Sequence, residues 1–520
     1  PAAIDRYQVA WRVAERPLPR PAGGRWLVLG DAGGVGPALA RELSARGAEV
    51  SPGGDPADGW RGVVDLRADV AAAFELARRS AAPIWLVAGD GEIWGLGRGV
   101  ALERPEAWGG LVELDPLAGA EGSAADLAAE VLGGSDDDPV RFRDGRREVA
   151  RLVRAAAPGR GGLALAPDRT YLVTGGFGRL GRRVARWLVD RGARRIALVG
   201  RRVDPSIDLA PAEVRSFAAD VSDRARMAEV LASALPLGGV VHAAGVMHPR
   251  ALREVDGALL AAELAPKRDG ALVLDELTAG LDLEFFVLFG SAAATWGSAG
   301  LAAYAAANRA LVRIAADRRA RGLPATCVEW GPWAGGGMAT EEGRRVLARM
   351  GVEPLDPDAA LRTLERVLAS PDLVEVAAVR VDWSRFKPVY EARRRRPFLA
   401  ELEGAPGPAR PAGPTLDLAR AAERPELVDD FVLEHARAIL GVAVVDPDAG
   451  WFDLGLDSLA AVELKTRLES GIGRPLPPTA VFNHPTPRAL AAHLAELLGI
   501  ETGPSEDELL DRLQRKLEGR

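Results

Sequence analysis

Residues 169–196 read RTYLVTGGFGRLGRRVARWLVDRGARRI. The apolar run TYLV meets the glycine-spaced turn TGGFGRLG (174–181), then an arginine-bearing amphipathic stretch, then RGA before the next apolar run. That order of periodicities predicts strand, tight turn and helix. Gly175, Gly178 and Gly181 let the backbone turn sharply and come close to a pyrophosphate. The helix N-terminus behind them offers N–H donors and the positive end of a dipole. The expected fold class is α/β, built from Rossmann-like units.

Residues 25–50, RWLVLGDAGGVGPALARELSARGAEV, repeat the pattern with Gly30, Gly33 and Gly36. Two Rossmann-like halves are expected, residues 1–165 and 166–400. They are not equivalent. The only Tyr of the first half is Tyr7, in YQVAWRV, and GLGRGVALERPEAWGGLVELD (95–115) has no Ser-Tyr-Asn spacing. The first half reads as degenerate and structural, because a fold by itself carries no function.

A lone glycine fingerprint is weak evidence, but the second half adds to it. Thr174, Gly175, Gly176, Phe177, Gly178, Leu180 and Gly181 are assigned to a dinucleotide. The next run, RIALVG (195–200), ends in Arg201-Arg202. An acid near this place would hold a ribose 2′-hydroxyl, whereas a guanidinium fork suits a 2′-phosphate, so NADPH is expected rather than NADH. FAADVSD (217–223) puts Asp220, followed by Val221, at the end of a third strand, where a carboxylate and a backbone turn can take an adenine amino group. His242, in VVHAAG (240–245), is given no chemical role.

GSAAATWGSAGLAAYAAAN (290–308) carries Ser291, then Tyr304 13 positions later, then Asn308 four after that. Residues four apart share a helix face. Lys267, in APKRDGA (265–271), stands 24 positions before Ser291. Ketone reduction needs a hydride and a proton. Free tyrosine has a pKa near 10, so Tyr304 is read as the proton donor with Lys267 lowering its pKa. Ser291 would brace the substrate carbonyl, and Asn308 would anchor a relay water or position Lys267. Of the four Tyr, only Tyr304 has Ser at −13 and a polar residue at +4.

The Ser-Tyr spacing resembles that of short-chain reductases. Asn308 stands where they place a Lys, and Lys267 lies upstream, which resembles the ketoreductases of modular polyketide synthases. The resemblance implies that Ala243, Ala244 and Gly245 form the nicotinamide-side turn. It implies reduction of a carrier-tethered 3-oxoacyl thioester to the 3-hydroxyacyl thioester. B-type ketoreductases carry Leu-Asp-Asp shortly after that turn; here the chain reads Val246-Met247-His248-Pro249. A-type enzymes carry a Trp eight residues before the Tyr, as Trp296 is here. An A-type enzyme giving an L-configured 3-hydroxyl is expected. Leu301 stands where variants reducing an epimerised 2-substituent carry His, so the reading leans to the other variant. CVEWGPWAGGGMA (327–339), with its two Trp, and EEGRRVLARM (341–350) read as a lid.

Residues 401–425 are rich in Pro, Ala and Gly and read as a linker. Residues 426–499 read as a small all-α, four-helix-type unit. Its Gly455-Leu456-Asp457-Ser458-Leu459 resembles the phosphopantetheine attachment site of an acyl carrier protein. That resemblance implies 4′-phosphopantetheine on Ser458, loaded by a phosphopantetheinyl transferase. Helix capping would equally explain a Ser there, although FNHPTPRALAAHL (482–494) is a further carrier-like feature. Residues 503–520 carry a stripe of Leu509, Leu510, Leu513 and Leu517, read either as a docking or dimerisation helix or as one packed on the chain's own surface. Upstream ketosynthase and acyltransferase domains, a downstream module reached through that helix, and a homodimer in the full synthase are the partners implied.

The 520 residues begin with Pro rather than Met, which reads as a segment of something longer. They are 48% hydrophobic, yet no apolar run approaches the ~20 residues of a membrane span. A net charge of −7 argues against nucleic acid. One Cys and five His cannot build a Cys-rich zinc site, and no metal is expected. The lone Cys327 fits a reducing compartment, the bacterial cytoplasm. Three alternatives stay open: an inactive reductase scaffold around a working carrier, a thioester-releasing reductase, and a free-standing sugar or steroid reductase.

Overall fold

The apolar runs become the strands of one sheet. The computed structural model describes residues 4–156, 163–370, 372–402, 414–477 and 479–500. The expected terminal helix, 503–520, lies outside the described residues, as does 403–413 of the linker. In the first half the strands are β1 (Asp5–Val13), β2 (Arg25–Leu29), β3 (Glu49–Ser51), β4 (Gly62–Asp65), β5 (Ile84–Val87), β6 (Trp108–Glu113), β7 (Val140–Arg143) and β8 (Arg146–Arg154). In the second they are β9 (Thr170–Thr174), β10 (Arg195–Gly200), β11 (Glu213–Ala218), β12 (Leu237–His242), β13 (Phe285–Ser291), β14 (Thr326–Trp330) and β15 (Glu375–Val379).

Their order is β11-β10-β9-β12-β13-β14-β15-β1-β8-β7-β6-β5-β4-β2-β3. From β11 to β15 all pairings are parallel. Parallel strands are covered on both faces and therefore read as unbroken apolar runs, and every residue of β9, β12 and β14 is buried. The chain leaves β9 for β10 and β11 on one side and returns to β12 on the other. That reversal places a ligand crevice at the carboxyl ends of β9 and β12.

The two halves are not side-by-side domains. β1 pairs antiparallel with β15 of the second half and with β8 of the first. Tyr7, fully buried, sits at this seam opposite Ala377 and Arg154. The fingerprint glycines show why the repeat exists in both halves. A Cβ on Gly36 would lie 2.3 Å from the Gly30 carbonyl oxygen, and one on Gly181 2.2 Å from that of Gly175. Each third glycine lets its helix settle on its own turn.

The first half also seats the helix that carries Tyr304. The glycine-rich helix Glu92–Glu103 packs against the helix Ala302–Ala320. A Cβ on Gly95 would fall 2.2 Å from the Ala305 carbonyl oxygen, and one on Gly99 2.6 Å from the Ala302 Cβ. Arg309 locks the contact. It is nearly fully buried, donates to Asp90 at 2.5 and 2.6 Å and to Glu375 at 2.5 Å, and lies 4.5 Å over the Trp94 ring.

Contacts divide the chain into two units, Pro1–Asp382 with Arg396–Glu403, and Trp383–Arg395 with Gly404–Arg520. The second is helical, with Leu418–Glu423, Glu426–Leu440, Ser458–Ile472, Ala480–Asn483 and Pro487–Leu498. Phe431, Val432, Leu464, Leu468, Leu490 and Leu494 share its core. Gly441, Gly473 and Gly499 end three of the helices in the left-handed region, at φ near 70°.

Candidate functional site

The glycine turn fits a dinucleotide. Gly175 takes φ +65°, and a Cβ there would lie 2.8 Å from the Ala243 carbonyl oxygen, so β9's turn sits directly against the turn after β12. The helix Arg179–Asp190 opens at Gly178 with no side-chain cap and no acid in its first turn. Its leading N–H groups and dipole are therefore left for an anion. Phe177 packs its ring on Gly200, and Arg201 and Arg202 stand exposed just past β10. Asp220 accepts from the Ser222 N–H at 3.0 Å and its hydroxyl at 2.7 Å. These bonds, with the Arg201 charge, hold its carboxyl below the usual range. Val221 is buried against Gly270.

The second cluster stands at the ends of β12 and β13. Lys267 lies in a π-helical turn, Ala265–Asp269, that follows the helix Gly257–Leu264. Such turns are rare and concentrate at functional sites. Lys267 is buried, and its ammonium donates to the Phe289 carbonyl at 2.5 Å, two residues before Ser291. Gly245 makes room for it, since a Cβ there would meet Lys267 Cε at 2.5 Å. Burial lowers the Lys267 pKa to about 8. Asn308, fully buried, donates its amide to the Tyr304 carbonyl at 2.7 Å.

Burial also raises the Tyr304 phenol, to about 12. The Ser291 hydrogen bond opposes this, the Glu263 charge adds to it, and Asn308 opposes it. The expected lowering by Lys267 is not what this geometry gives. One ammonium hydrogen goes to the Phe289 carbonyl, and desolvation is the largest influence on the phenol. A raised pKa keeps the phenol protonated at neutral pH, which is the state a proton donor needs.

His242, to which the sequence assigned nothing, ties the two clusters together. It faces Thr174 across the β9–β12 register. Its Nε2 lies 3.1 Å from the Lys267 carbonyl and its Nδ1 2.8 Å from the Thr174 hydroxyl. A carbonyl only accepts, so Nε2 carries the proton and Nδ1 accepts from Thr174. Burial pushes its pKa down to about 3, so the ring is neutral. Thr174 in turn accepts from the Ala244 N–H at 3.4 Å. One buried imidazole thus links the dinucleotide turn to the backbone of Lys267. Glu263 is a second residue missed. It is fully buried and accepts from the His248 N–H at 2.6 Å and from His248 Nδ1 at 3.0 Å.

Trp296 is buried and Leu301 is half-buried at the start of the Tyr304 helix. The lid reading needs correction. Trp330 belongs to β14, and Trp333 packs edge-on against it at 5.2 Å, both in the core beside Phe289. The exposed part begins after them. Gly335 accepts from Arg179 at 3.1 Å, and the helix Glu341–Arg349 has no buried residue. In the second unit, Asp457 caps the helix Ser458–Ile472 by accepting from the Ala460 N–H at 2.7 Å. Capping therefore does not account for the Ser at 458, which occupies the first helical position. Among the described residues no group of side chains could hold a metal ion, and no helix is long and apolar enough to cross a membrane.

Comparison with known proteins finds two families along the chain. The family model described as "KR domain" matches residues 169–335, and that described as "Phosphopantetheine attachment site" matches 430–494. The chain is 36% identical to the pikromycin polyketide synthase component PikAIII of Streptomyces venezuelae, over 99% of the chain but only 38% of that protein. It is 37% identical to erythronolide synthase EryA3 of Saccharopolyspora erythraea, over 84% of the chain and 15% of that protein. Among solved structures, the ketoreductase from the first module of phoslactomycin biosynthesis in Streptomyces sp. HK803 matches with a TM-score of 0.68 and 34% identity, covering 78% of this chain and all of that one. An A1-type ketoreductase matches at 0.68 and 32%, covering 76% and 97%. A C2-type ketoreductase matches at 0.67 and 29%, covering 76% and 100%, so likeness of fold does not sort the types.

Proposed function

The chain belongs to the modular polyketide synthases, as a ketoreductase followed by a phosphopantetheine-bearing carrier, and from that premise we propose how its residues work. The substrate is a 3-oxoacyl thioester on the carrier, and the product is the 3-hydroxyacyl thioester. The observation that carries this is the set Lys267, Tyr304 and Asn308, all buried, with the half-buried Ser291 at the carboxyl end of β13. When bound, NADPH supplies the hydride. Gly175 to Gly181 and the uncapped helix N-terminus hold its pyrophosphate, and Arg201 with Arg202 takes the 2′-phosphate. Asp220 and Val221 take the adenine side, and Ala243, Ala244 and Gly245 the nicotinamide side. Ser291 donates a hydrogen bond to the ketone oxygen, and Tyr304 gives it a proton. Lys267 restores that proton through Asn308, whose Oδ1, buried and without a partner among the described residues, is the acceptor a relay water needs.

Trp296, eight residues before Tyr304, supports the A-type reading and an L-configured hydroxyl; Leu301 supports an enzyme that does not select an epimerised 2-position. Ser458 carries the 4′-phosphopantetheine after action of a phosphopantetheinyl transferase. Tethering raises the local substrate concentration to about millimolar for a short flexible connection. Domain boundaries at about 165, 400 and 425, a docking role for 503–520, and a cytoplasmic bacterial setting complete the proposal. The test is NADPH consumption with a 3-oxoacyl thioester mimic and chiral analysis of the product. Consumption yielding the L-alcohol supports it. No consumption favours the inactive-scaffold alternative, and an aldehyde product favours thioester release.

A further inference from the structure

We propose that Glu103, in the half without a catalytic set, is a positioning residue for the reductase pocket: its carboxylate ties together the loop that follows the nicotinamide-side turn and the loop that leads into the Tyr304 helix. The inference rests on the ketoreductase reading. Glu103 is the last residue of the glycine-rich helix Glu92–Glu103. Its Oε2 accepts the Leu252 N–H at 2.7 Å, and its Oε1 accepts the Gly300 N–H at 2.9 Å. The two loops also meet directly, where the Arg250 N–H donates to the Gly300 carbonyl at 2.9 Å.

A carboxylate at a helix C-terminus faces the unfavourable end of the dipole. The two backbone partners of the Glu103 carboxylate, Leu252 and Gly300, both belong to the other half. What it holds is the frame of the pocket. The first loop begins at Gly245, against Lys267, and is fixed at His248 by Glu263. Glu103 fixes its far end at Leu252. Gly300, at φ +74°, directly precedes Leu301, whose carbonyl accepts the Ala305 N–H at 2.8 Å to start the Tyr304 helix. With one oxygen on each loop, the carboxylate sets how far Leu301 stands from the loop facing it, and so the space left for the substrate's 2-substituent.

The test uses the full chain with NADPH and a 2-methyl-3-oxo thioester mimic, comparing wild type, Glu103→Gln and Glu103→Ala. Gln keeps one acceptor oxygen and presents an NH2 to the other N–H. The expected result is a fall of about tenfold in the ratio of major to minor product diastereomer for Glu103→Gln, the factor that one lost hydrogen bond to a charged group carries, and a larger fall for Glu103→Ala. KM for the thioester rises while NADPH affinity holds, because the dinucleotide turn is untouched. Amide exchange is read in parallel: Leu252 and Gly300 should both exchange faster in Glu103→Ala, and chiefly one of them in Glu103→Gln. Unchanged diastereomer ratio and KM with only a lower Tm would overturn the inference, as would unchanged exchange at both amides. A wild type that reduces nothing overturns the ketoreductase reading instead, and the exchange result then decides the clamp alone.

Discussion

Substituting Gly95 by Ala puts a methyl group into the seam between the halves. The added carbon would stand 2.2 Å from the Ala305 carbonyl oxygen, on the turn that begins with Ala302 and contains Tyr304. Normal carbon–oxygen contact needs about 3.4 Å, so the Tyr304 helix must retreat by roughly 1 Å. Overpacking of this kind costs about 1–3 kcal/mol, offset in part by the ~1 kcal/mol that Ala gains over Gly in a helix. The net loss of stability is therefore small, about 0–2 kcal/mol. Activity should fall much further, because displacing a catalytic group by about 1 Å costs on the order of 100-fold. The assay is kcat for NADPH oxidation with a 3-oxoacyl thioester mimic, alongside a thermal melt. Gly97→Ala is the control: its methyl group would meet Trp108 Cη2 at 2.7 Å, inside the first half, and should lower Tm with a smaller loss of kcat. Equal kcat losses in the two variants, or full activity in Gly95→Ala, would refute the claim that the first half seats the Tyr304 helix.

Removing His242 as Leu takes the acceptor from the Thr174 hydroxyl proton and one of two donors from the Lys267 carbonyl; about 1–3 kcal/mol of stability should go, with a fall in kcat, read by denaturant titration and turnover. Lys267 is held at about 8 against an ordinary 10.5, so the unfolded chain binds that proton more tightly. Wild-type stability should therefore rise as pH goes from about 8 to about 10.5, by up to about 3 kcal/mol, and Lys267→Met should flatten that rise while abolishing turnover. Arg201→Ala with Arg202→Ala should raise KM for NADPH about tenfold or more and leave that for NADH nearly unchanged, measured by steady-state kinetics. Ser458→Ala should gain no phosphopantetheine in intact-mass analysis after treatment with a transferase, where the wild type gains one.

The residues that were legible in the sequence are those whose role is local. Gly175 and Gly181, like Gly30 and Gly36, repeat because a helix must close on its own turn, and a turn leaves a fixed spacing. Ser291, Tyr304 and Asn308 stand out in the sequence for the same reason: they lie at one strand end and on one face of a helix close behind it. The rest depended on contacts between distant segments. Nothing in YQVAWRV announces that β1 closes the sheet between the halves. The glycines of EIWGLGRGVALE have a reason only once Ala302 and Ala305 are seen pressed against them. His242 looked like a lone histidine because Thr174 and the Lys267 carbonyl are 68 and 25 residues away. The glycines beside Trp330 and Trp333 suggest a lid, whereas large aromatic side chains next to a buried strand gain more by joining the core.

The most direct test of the account loads a 3-oxoacyl phosphopantetheine onto Ser458 of the full chain with a phosphopantetheinyl transferase, adds NADPH, and follows the intact mass. The account predicts that the wild type gains the mass of one hydride and one proton while NADPH is consumed, and that Tyr304→Phe, equally loaded, does not. A loaded wild type whose mass stays at that of the ketone, with NADPH unconsumed, would contradict it.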